Sequence, residues 1–527
     1  MAGAARLSGR GALLGAYALA TFLAFPHPVG GRVLDLGLVC AWLAPGFLVA
    51  GLRGMGPQRA AGRAFLAGLA AHGLVLHWIY VVTVTYGHAP ALAGVLAPLG
   101  LAAYVACFCA AFGALTAWLA ARGAAGPFAL ALVWAALDHL RSFALSGFPW
   151  ASLGYAQHGN AALLGLVPWT GVYGLSFASV LGGAALAELA RERASRRAWA
   201  ALGVLAALHG LGAALLRADA APAGGPSVRV AVLQGNIDQG VKWSPEWAQR
   251  TLEIYEDLTR RALAQGAELV VWPETAVPGS IAGDPELRER LGRLARDGGA
   301  SLVVGGVGVE RSGEALRFYD SAFVFEPSGR LVERYDKAHL VPFGEYVPLR
   351  ALLGRVASAV ARGIAPDDVS AGSGPRVLAL SAGSGDSVPA GVPICYELLF
   401  PDLVRRFVDG GAGVLLAITN DAWYGRTGAP YQFLAITALR SAENRVWTAR
   451  SANTGVSAFI DHRGRVQART RIFERDLLVA DVPLRPPPRG GSFYTRRGDV
   501  FAWGCWILGA GLALAAGRAG PKGGWRA

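Results

Sequence analysis

The chain has 527 residues, of which 53% are hydrophobic and only 16% charged, a composition too apolar for a protein that is soluble throughout. Its formal charge of +13 does not indicate a nucleic-acid partner, because the basic residues are scattered or grouped between apolar runs without a recognition motif. We therefore expect a membrane protein that binds no nucleic acid.

Long apolar runs crowd into the first part of the chain and recur near its C-terminal end. A helix needs about 20 apolar residues to cross the roughly 30 Å hydrocarbon core of a bilayer. Eight segments reach that length, and we predict membrane spans at residues 11–27, 33–52, 64–83, 90–120, 127–145, 162–189, 198–216 and 499–517. The sequence thus predicts a membrane domain at residues 1–217 with seven helices, and a final membrane helix at residues 499–517.

The basic residues between these spans indicate how the chain is oriented. Arginines follow the second span (Arg53, Arg59 and Arg63), the fourth (Arg122) and the sixth (Arg191 and its neighbours), whereas the connections after the first and third spans are poorer in Lys and Arg. Short basic loops stay on the cytoplasmic side of a membrane. We therefore expect the region after the seventh predicted span to lie outside the cytoplasm.

From about residue 226 the pattern changes to short β-rich runs separated by amphipathic stretches, which is typical of an α/β domain. We predict strands at residues 228–233, 269–272, 302–307, 321–325, 388–394, 414–419 and 456–460. We predict helices at residues 247–264, 285–295, 400–408 and 430–445. The predicted catalytic domain spans residues 226–487 and ends at a proline-rich stretch.

Three reactive groups stand at predicted strand ends or adjoining loops of this domain: Glu274, Lys337 and Cys395. Singly, each has a structural explanation: a surface turn for Glu274, an ion pair with Asp336 for Lys337, and a small buried hydrophobe for Cys395. Together they suit covalent catalysis, because a thiol is activated by a nearby base and a positive charge. No second cysteine lies in the domain, and no Cys/His spacing indicates a metal.

The order and surroundings of these groups resemble the carbon–nitrogen hydrolase, or nitrilase, superfamily, and within it the apolipoprotein N-acyltransferase family. The motifs that carry the resemblance are Gln234-Gly235-Asn236, Lys242-Trp243, Trp272-Pro273-Glu274-Thr275-Ala276, Asp336-Lys337, Leu340-Val341-Pro342-Phe343-Gly344-Glu345, Cys395-Tyr396-Glu397 and Asn420-Asp421-Ala422-Trp423-Tyr424-Gly425. In the membrane half, Ser146-Gly147-Phe148-Pro149-Trp150 and Gly171-Val172-Tyr173-Gly174-Leu175-Ser176-Phe177 are also similar to that family.

The resemblance implies a nitrilase-like αββα sandwich outside the cytoplasm, joined to the multi-span α-helical membrane domain. It implies that Glu274 is the general base, Lys337 the cationic stabiliser and Cys395 the nucleophile. Four further residues match supporting or substrate-binding positions of the family: Glu345, Tyr396, Glu397 and Trp243. No metal and no organic cofactor is expected.

The resemblance further implies transfer of an acyl chain from a phospholipid, through a Cys395 thioester, to the α-amino group of the diacylglyceryl-cysteine of an apolipoprotein. The enzyme would then be a multi-pass protein of the bacterial inner membrane, with its catalytic domain on the periplasmic side. Two alternatives remain open: a membrane-tethered amidase of the same superfamily, and a non-catalytic lipid-binding scaffold.

Two features of the predicted helix at residues 430–445 bear on its role. Arg440 and Glu443 are three residues apart, so we expect an intrahelical ion pair without a catalytic role. The family commonly has Gln-His after the Asp-Ala-Trp segment, whereas this chain has Gln432-Phe433. A histidine at that position is therefore not essential here.

Overall fold

A computed structural model of the protein describes residues 2–219, 225–242, 244–312, 315–348, 368–383, 385–485 and 491–520. The chain forms two compact units. The first comprises Met1–Tyr80, Leu92–Ala220 and Arg497–Ala527, and the second comprises Val81–Ala91 and Ala221–Arg496. The short segment Val81–Ala91 thus groups with the second unit, although it lies between two predicted membrane spans.

The first unit is helical apart from one small hairpin. Its helices are α1 (Ala2–Leu23), α2 (Gly37–Gly51), α3 (Pro57–Val75), α4 (Ala91–Ala121), α5 (Pro127–Arg141), α6 (Ala161–Leu164), α7 (Val167–Thr170), α8 (Val172–Leu189), α9 (Arg196–Ala218) and a C-terminal helix, Val500–Ala519. Strands β1 (His27–Val29) and β2 (Arg32–Leu34) pair antiparallel between α1 and α2.

Fewer helices meet the criterion for a membrane span than the sequence predicts. Within the described ranges, four helices are long and apolar enough to cross a membrane by length and composition, namely α4, α8, α9 and the C-terminal helix. The apolar helix α2 has only 15 residues. The predicted span at 162–189 is divided into α6, α7 and α8. Gly171, with φ +60°, separates α7 from α8, because a continuous helix excludes this conformation.

Buried polar groups tie α5 to its neighbours in the first unit. Arg141 donates to Asp138 Oδ1 at 3.1 Å, to Ser152 Oγ at 2.6 Å and to the Trp150 carbonyl at 3.0 Å. Ser176, on α8, donates to the other Asp138 oxygen at 2.7 Å. These bonds fix the Ser146–Trp150 motif region against two helices, since an unpaired buried charge would be costly.

The second unit contains two six-stranded sheets. Its strands are β3 (Ser227–Gln234), β4 (Leu269–Val271), β5 (Ser301–Ser312), β6 (Ala315–Phe325), β7 (Leu331–Asp336), β8 (Val377–Ser381), β9 (Ser387–Gly391), β10 (Val414–Thr419), β11 (Trp447–Ala452), β12 (Ala458–Ile460), β13 (Val466–Arg469) and β14 (Asp476–Pro483). The strand orders are β14-β3-β4-β5-β6-β7 and β13-β12-β11-β10-β9-β8. Pairing is parallel in β3-β4-β5 and in β9-β10-β11.

Helices cover the sheets and complete the αββα arrangement. They are α10 (Pro245–Leu263), α11 (Pro285–Gly298), α12 (Pro401–Asp409), α13 (Ala429–Asn444) and α14 (Phe493–Arg497). Side chains of α10 and α11 share a core with β4, β5 and β6, while those of α13 pack with β12. The sheets meet at Ser451 of β11, whose hydroxyl donates to the carbonyls of Leu233 and Val271. The predicted nitrilase-like sandwich is confirmed.

Parallel strands bring their carboxyl ends to one edge of each sheet. Glu274 follows β4, Cys395 follows β9, and Asn420 follows β10. Lys337 follows the edge strand β7. The loops that carry the three predicted catalytic residues therefore converge on one site.

Candidate active site

The backbone around Glu274 is held close to the neighbouring strand. A Cβ added to Gly305 of β5 would lie 2.8 Å from the Glu274 Cα, so only glycine lets β5 pass here. Glu274 is buried, with 6% of the residue exposed. Its Oε1 accepts from Lys337 Nζ at 3.2 Å, and its Oε2 accepts from the Asn420 backbone N–H at 2.6 Å. Glu274 is thus buried and fixed, and does not lie in a surface turn.

Lys337 is fully buried and binds a cluster of carboxylates. Its ammonium donates to Glu345 Oε1 at 2.5 Å, to Glu274 Oε1 at 3.2 Å and to Asp320 Oδ2 at 3.4 Å. The three carboxyl groups bring oxygens within 4.8 Å of one another, and the lysine supplies the cation between them. Asp336 pairs instead with Arg334 at 2.7 Å, so the simple Lys337–Asp336 ion pair is not formed.

The carboxyl groups around Lys337 differ in their affinity for protons. Burial opposes ionisation of Glu274, but the Lys337 charge and hydrogen bonds from Asp320 and Cys395 hold its pKa below the usual value. Burial and the nearby Glu274 charge raise the pKa of Asp320 well above its usual value. Glu274 is therefore the carboxyl group that ionises more readily, and Asp320 is the one that keeps a proton more readily.

Cys395 begins a short 3₁₀ helix, Cys395–Leu399, directly after the strand region of β9. Its φ of +47° is a strained conformation for a residue with a side chain, and it turns the chain sharply at the sulfur. Burial, followed by the Glu274 charge, raises the pKa of the Cys395 thiol well above its usual value. The resting group is therefore a thiol, and it donates a hydrogen bond to the Glu274 carboxylate.

Glu345 and Glu397 support this arrangement from two loops. Glu345 Oε2 accepts from the Val341 N–H at 2.9 Å while its other oxygen binds Lys337. Glu397 is fully buried; Oε1 accepts from the Ala338 N–H at 2.7 Å, and Oε2 accepts from the Ile394 N–H at 2.7 Å. Glu397 therefore joins the backbone after Lys337 to the backbone before Cys395, without contacting Lys337 itself.

This geometry accompanies similarity to known proteins along most of the chain. The apolipoprotein N-acyltransferase of Geobacter metallireducens is 40% identical over 485 residues, which cover 90% of this chain and 90% of that relative. The chain belongs to the apolipoprotein N-acyltransferase family. The protein of the same name from Pseudomonas syringae is 37% identical over 442 residues, covering 82% of this chain and 84% of the relative.

Family models agree with this membership. The model described as carbon-nitrogen hydrolase matches residues 229–485, and that described as apolipoprotein N-acyltransferase N-terminal domain matches residues 17–185. An amidase structure from Nesterenkonia sp. is 24% identical to this chain, with a TM-score of 0.36. The match covers 49% of this chain and 91% of the amidase chain. The chain is thus an acyltransferase enzyme and, with its long apolar helices, a membrane protein.

The remaining residues that the sequence analysis singled out lie in different surroundings. Tyr396 is buried beside the 3₁₀ turn, and its ring meets that of Phe400 edge-on at 5.2 Å between centroids. Trp243 lies outside the described residues. Phe433, where the family commonly has histidine, is fully buried, and the Arg450 guanidinium lies 4.6 Å from its ring centroid.

Among the residues that contact the acyltransferase site, several were given no role by sequence reasoning, including Asp320, Lys242 and Asn420. Asp320 lies on β6 and has no local motif, so only its strand pairing brings it to Lys337. Lys242 is buried and donates to Thr275 Oγ1 at 2.7 Å and to the Glu274 carbonyl at 3.4 Å. The motifs that contain Lys242 and Asn420 were recognised in the sequence. What was not expected is that Lys242 is buried beside Glu274.

Proposed function

We propose that the acyltransferase carries an acyl chain on Cys395 and that Glu274 and Lys337 are its catalytic partners. One observation carries this proposal: a single carboxylate, Glu274, receives hydrogen bonds from the Cys395 thiol, the Lys337 ammonium and the Asn420 backbone. A base that contacts both a cation and a nucleophile provides the elements of covalent acyl transfer.

In the first step Glu274 takes the thiol proton, and the sulfur of Cys395 attacks the carbonyl carbon of an acyl ester. Negative charge develops on the carbonyl oxygen, where the Lys337 ammonium and the Tyr396 backbone N–H are the donors we propose. When the C–O bond breaks, the leaving alkoxide takes the proton from Glu274. The products are a Cys395 thioester and a free alcohol.

In the second step a primary amine attacks the thioester carbonyl carbon, and Glu274 accepts a proton from the attacking nitrogen. The same donors stabilise the second oxyanion. The C–S bond then breaks, and the proton on Glu274 returns to the departing sulfur. An amide is released, and Cys395 is again a thiol, so no metal or organic cofactor enters the balance.

We propose that the ester is a phospholipid and that the amine is the α-amino group of a diacylglyceryl-cysteine at the N-terminus of an apolipoprotein. The names of the relatives support the acceptor. An exposed aromatic side chain near the site supports a lipid donor, because Phe343, in the loop that carries Glu345, is 51% exposed. A loop of this kind admits acyl chains and limits hydrolysis of the thioester by water.

We further propose that residues 1–217 and 499–517 anchor the enzyme in a bacterial inner membrane, with the catalytic domain at 226–487 on the periplasmic side. The basic residues between the predicted spans support this orientation. Labelling of single cysteines placed at Arg59 and at Arg311 by a membrane-impermeant maleimide tests it in intact inner-membrane vesicles of known sidedness. Equal protection of both positions contradicts the proposed orientation.

Intact-protein mass spectrometry tests the chemistry. The enzyme in detergent is mixed with a phospholipid labelled in its acyl chain, and the Cys395→Ala variant is compared with Cys107→Ser, which removes an exposed thiol of the helical unit. We expect an acyl mass on the wild type and on Cys107→Ser, and none on Cys395→Ala. Addition of a diacylglyceryl-cysteine peptide removes that mass and gives an N-acylated peptide.

Other outcomes favour the alternatives. Release of ammonia from small amides, without an acyl mass from phospholipid, favours a membrane-tethered amidase. Phospholipid binding with neither reaction, together with unchanged lipoprotein N-acylation in cells that carry Cys395→Ala, favours a non-catalytic scaffold.

A further inference from the structure

A buried hydroxyl lies beside the Cys395 sulfur and belongs to none of the motif positions discussed above. Ile394 and Ile418 form a parallel bridge, which places the following residues, Cys395 and Thr419, side by side. Thr419 Oγ1 is 3.7 Å from Cys395 Sγ, within hydrogen-bond range for sulfur, and Thr419 is fully buried. The sulfur is therefore contacted by Glu274 and also by this hydroxyl.

The hydroxyl is held in place by a buried ion pair. Thr419 Oγ1 is 2.5 Å from Asp421 Oδ1, and Asp421 Oδ2 accepts from Arg450 at 2.7 Å. Arg450 is itself fixed, because it donates to the Val456 carbonyl at 3.0 Å and to Thr437 Oγ1 at 3.2 Å. All of these side chains are fully buried, so water does not compete for their hydrogen bonds.

A threonine hydroxyl has one proton, whereas Thr419 has two acceptors within reach, the Asp421 carboxylate and the Cys395 sulfur. We propose that Thr419 is a catalytic residue whose hydroxyl switches its hydrogen bond between Asp421 and the Cys395 sulfur during each acyl transfer. Asp421 and Arg450 are positioning residues that hold the hydroxyl at the sulfur. This role rests on the proposed function of Cys395 as the nucleophile.

The switch follows the charge on the sulfur. While Cys395 is a thiol, its own proton lies toward Glu274 and the Thr419 hydroxyl donates to Asp421. When Glu274 removes the thiol proton, the hydroxyl turns to the thiolate, a much stronger acceptor than a thiol. Once the thioester forms, the sulfur carries no charge and the hydroxyl returns to Asp421, so the Thr419 proton is never transferred.

Other charges also act on the sulfur, and the test must separate them from the hydroxyl. The titratable groups that face it are Glu274, Lys337, Asp421 and Tyr424, with Arg450 behind Asp421. Replacing Thr419 leaves every one of these groups in place. Thr419→Val removes the hydroxyl at nearly constant volume, and Thr419→Ser restores it.

The experiment measures the rate at which iodoacetamide alkylates Cys395 between pH 6 and pH 11, resolved from the other cysteines by peptide mass spectrometry of the full-length enzyme in detergent. Because the pKa of Cys395 is raised by burial, the shift of the midpoint is read from the part of the profile where the rate still rises with pH. The rate follows the thiolate fraction. Thr419→Val loses the hydrogen bond from the hydroxyl to the charged thiolate, so we expect the midpoint of the alkylation profile to move upward by about one pH unit. Below the midpoint, alkylation is then about tenfold slower than in the wild type. Thr419→Ser restores the wild-type midpoint.

The matched control is Thr448→Val, because Thr448 is equally buried and its hydroxyl pairs with Ser441 at 2.6 Å, away from the sulfur. We expect its midpoint to equal that of the wild type. If Thr419→Val does not fold, Thr419→Ala removes the same hydroxyl without adding bulk. A midpoint unchanged in the hydroxyl-free variant, or a Thr419→Ser midpoint that matches Thr419→Val, overturns the proposal.

Failure of this inference is distinguishable from failure of the proposed function, because alkylation needs no lipid. An acyl mass on Cys395 with no midpoint shift in Thr419→Val retains the transferase mechanism and rejects the switch. A midpoint shift without an acyl mass rejects the transferase and shows only that Thr419 stabilises the thiolate.

Discussion

The hydroxyl of Tyr335, on strand β7, donates a 2.7 Å hydrogen bond to the carboxyl group of Glu397, in the 3₁₀ helix that begins at Cys395, and both side chains are buried. The same Glu397 group accepts from the backbone N–H of Ala338 and of Ile394, which adjoin Lys337 and Cys395. Burial raises the pKa of Glu397 to about 7, while these hydrogen bonds lower it. Glu397 therefore fixes the spacing between the amine and the thiol without touching either.

Removal of Glu397 is expected to loosen the site and destabilise the fold together. Glu397→Ala leaves buried N–H groups unpaired and costs about 3 kcal/mol, whereas Tyr335→Phe removes one bond and costs about 1 kcal/mol. Thermal unfolding in detergent and the rate of Cys395 acylation measure the two effects. An unfolding temperature of Glu397→Ala equal to that of Tyr335→Phe contradicts the structural role.

Asp320 is expected to act as a neutral hydrogen-bond donor to Glu274. An asparagine keeps this donor and keeps an oxygen for Lys337, so Asp320→Asn should acylate within about threefold of the wild type. Asp320→Ala loses the bond and should be about tenfold slower. Single-turnover acylation rates at pH 7 compare the two variants, and equal losses would mean that the Asp320 charge itself is required.

The sequence predicts strands well where burial is wholly apolar. Strand β10, Val414–Thr419, has the predicted bounds because its first five residues are all apolar, a pattern typical of a strand covered on both faces. Strand β11, Trp447–Ala452, was missed. Its residues are as well buried, but Thr448, Arg450 and Ser451 are satisfied by distant partners, and such tertiary hydrogen bonds leave no local pattern.

The site shows the same limit. Glu274, Lys337 and Cys395 could be predicted as site residues because each stands in a recognisable motif at a strand end. Asp320 and Thr419 reach the site through strand pairing alone. The sequence does not single them out, because an aspartate or threonine within a strand is usually structural. Expectations about charge also changed, because Lys337 contacts three carboxylates instead of its sequence neighbour Asp336.

Lys242 should give the acylation rate a distinctive pH dependence. Burial lowers the pKa of Lys242 to about 8, against the opposing charges of Glu274 and Asp320. Below pH 8 its charge favours the thiolate and the oxyanion, and this help is lost as pH rises through that value. The rate ratio of wild type to Lys242→Met should therefore be several-fold at pH 6.5 and approach one by about pH 9.5.

Taking this ratio cancels the part of the Cys395 and Glu274 titrations that does not depend on Lys242. Lys242→Arg provides the control, because arginine stays protonated throughout this range. Its ratio to Lys242→Met should remain constant from pH 6.5 to pH 9.5. A wild-type ratio that is equally constant contradicts the assigned ionisation of Lys242.

Arg440 and Glu443 should matter for stability and not for chemistry. The expected intrahelical pair is confirmed, with a 3.0 Å bond from Arg440 to Glu443 Oε1, and both side chains are fully buried. Glu443→Ala removes the carboxylate that pairs with a buried guanidinium and should cost about 3–5 kcal/mol, whereas Arg440→Met combined with Glu443→Leu removes both charges and should cost less than either single change. Denaturant unfolding measures these costs, and acylation is normalised to folded protein. Since neither residue approaches Cys395, the normalised acylation should equal that of the wild type. A double variant that is less stable than both single variants would show instead that the pair contributes net stability.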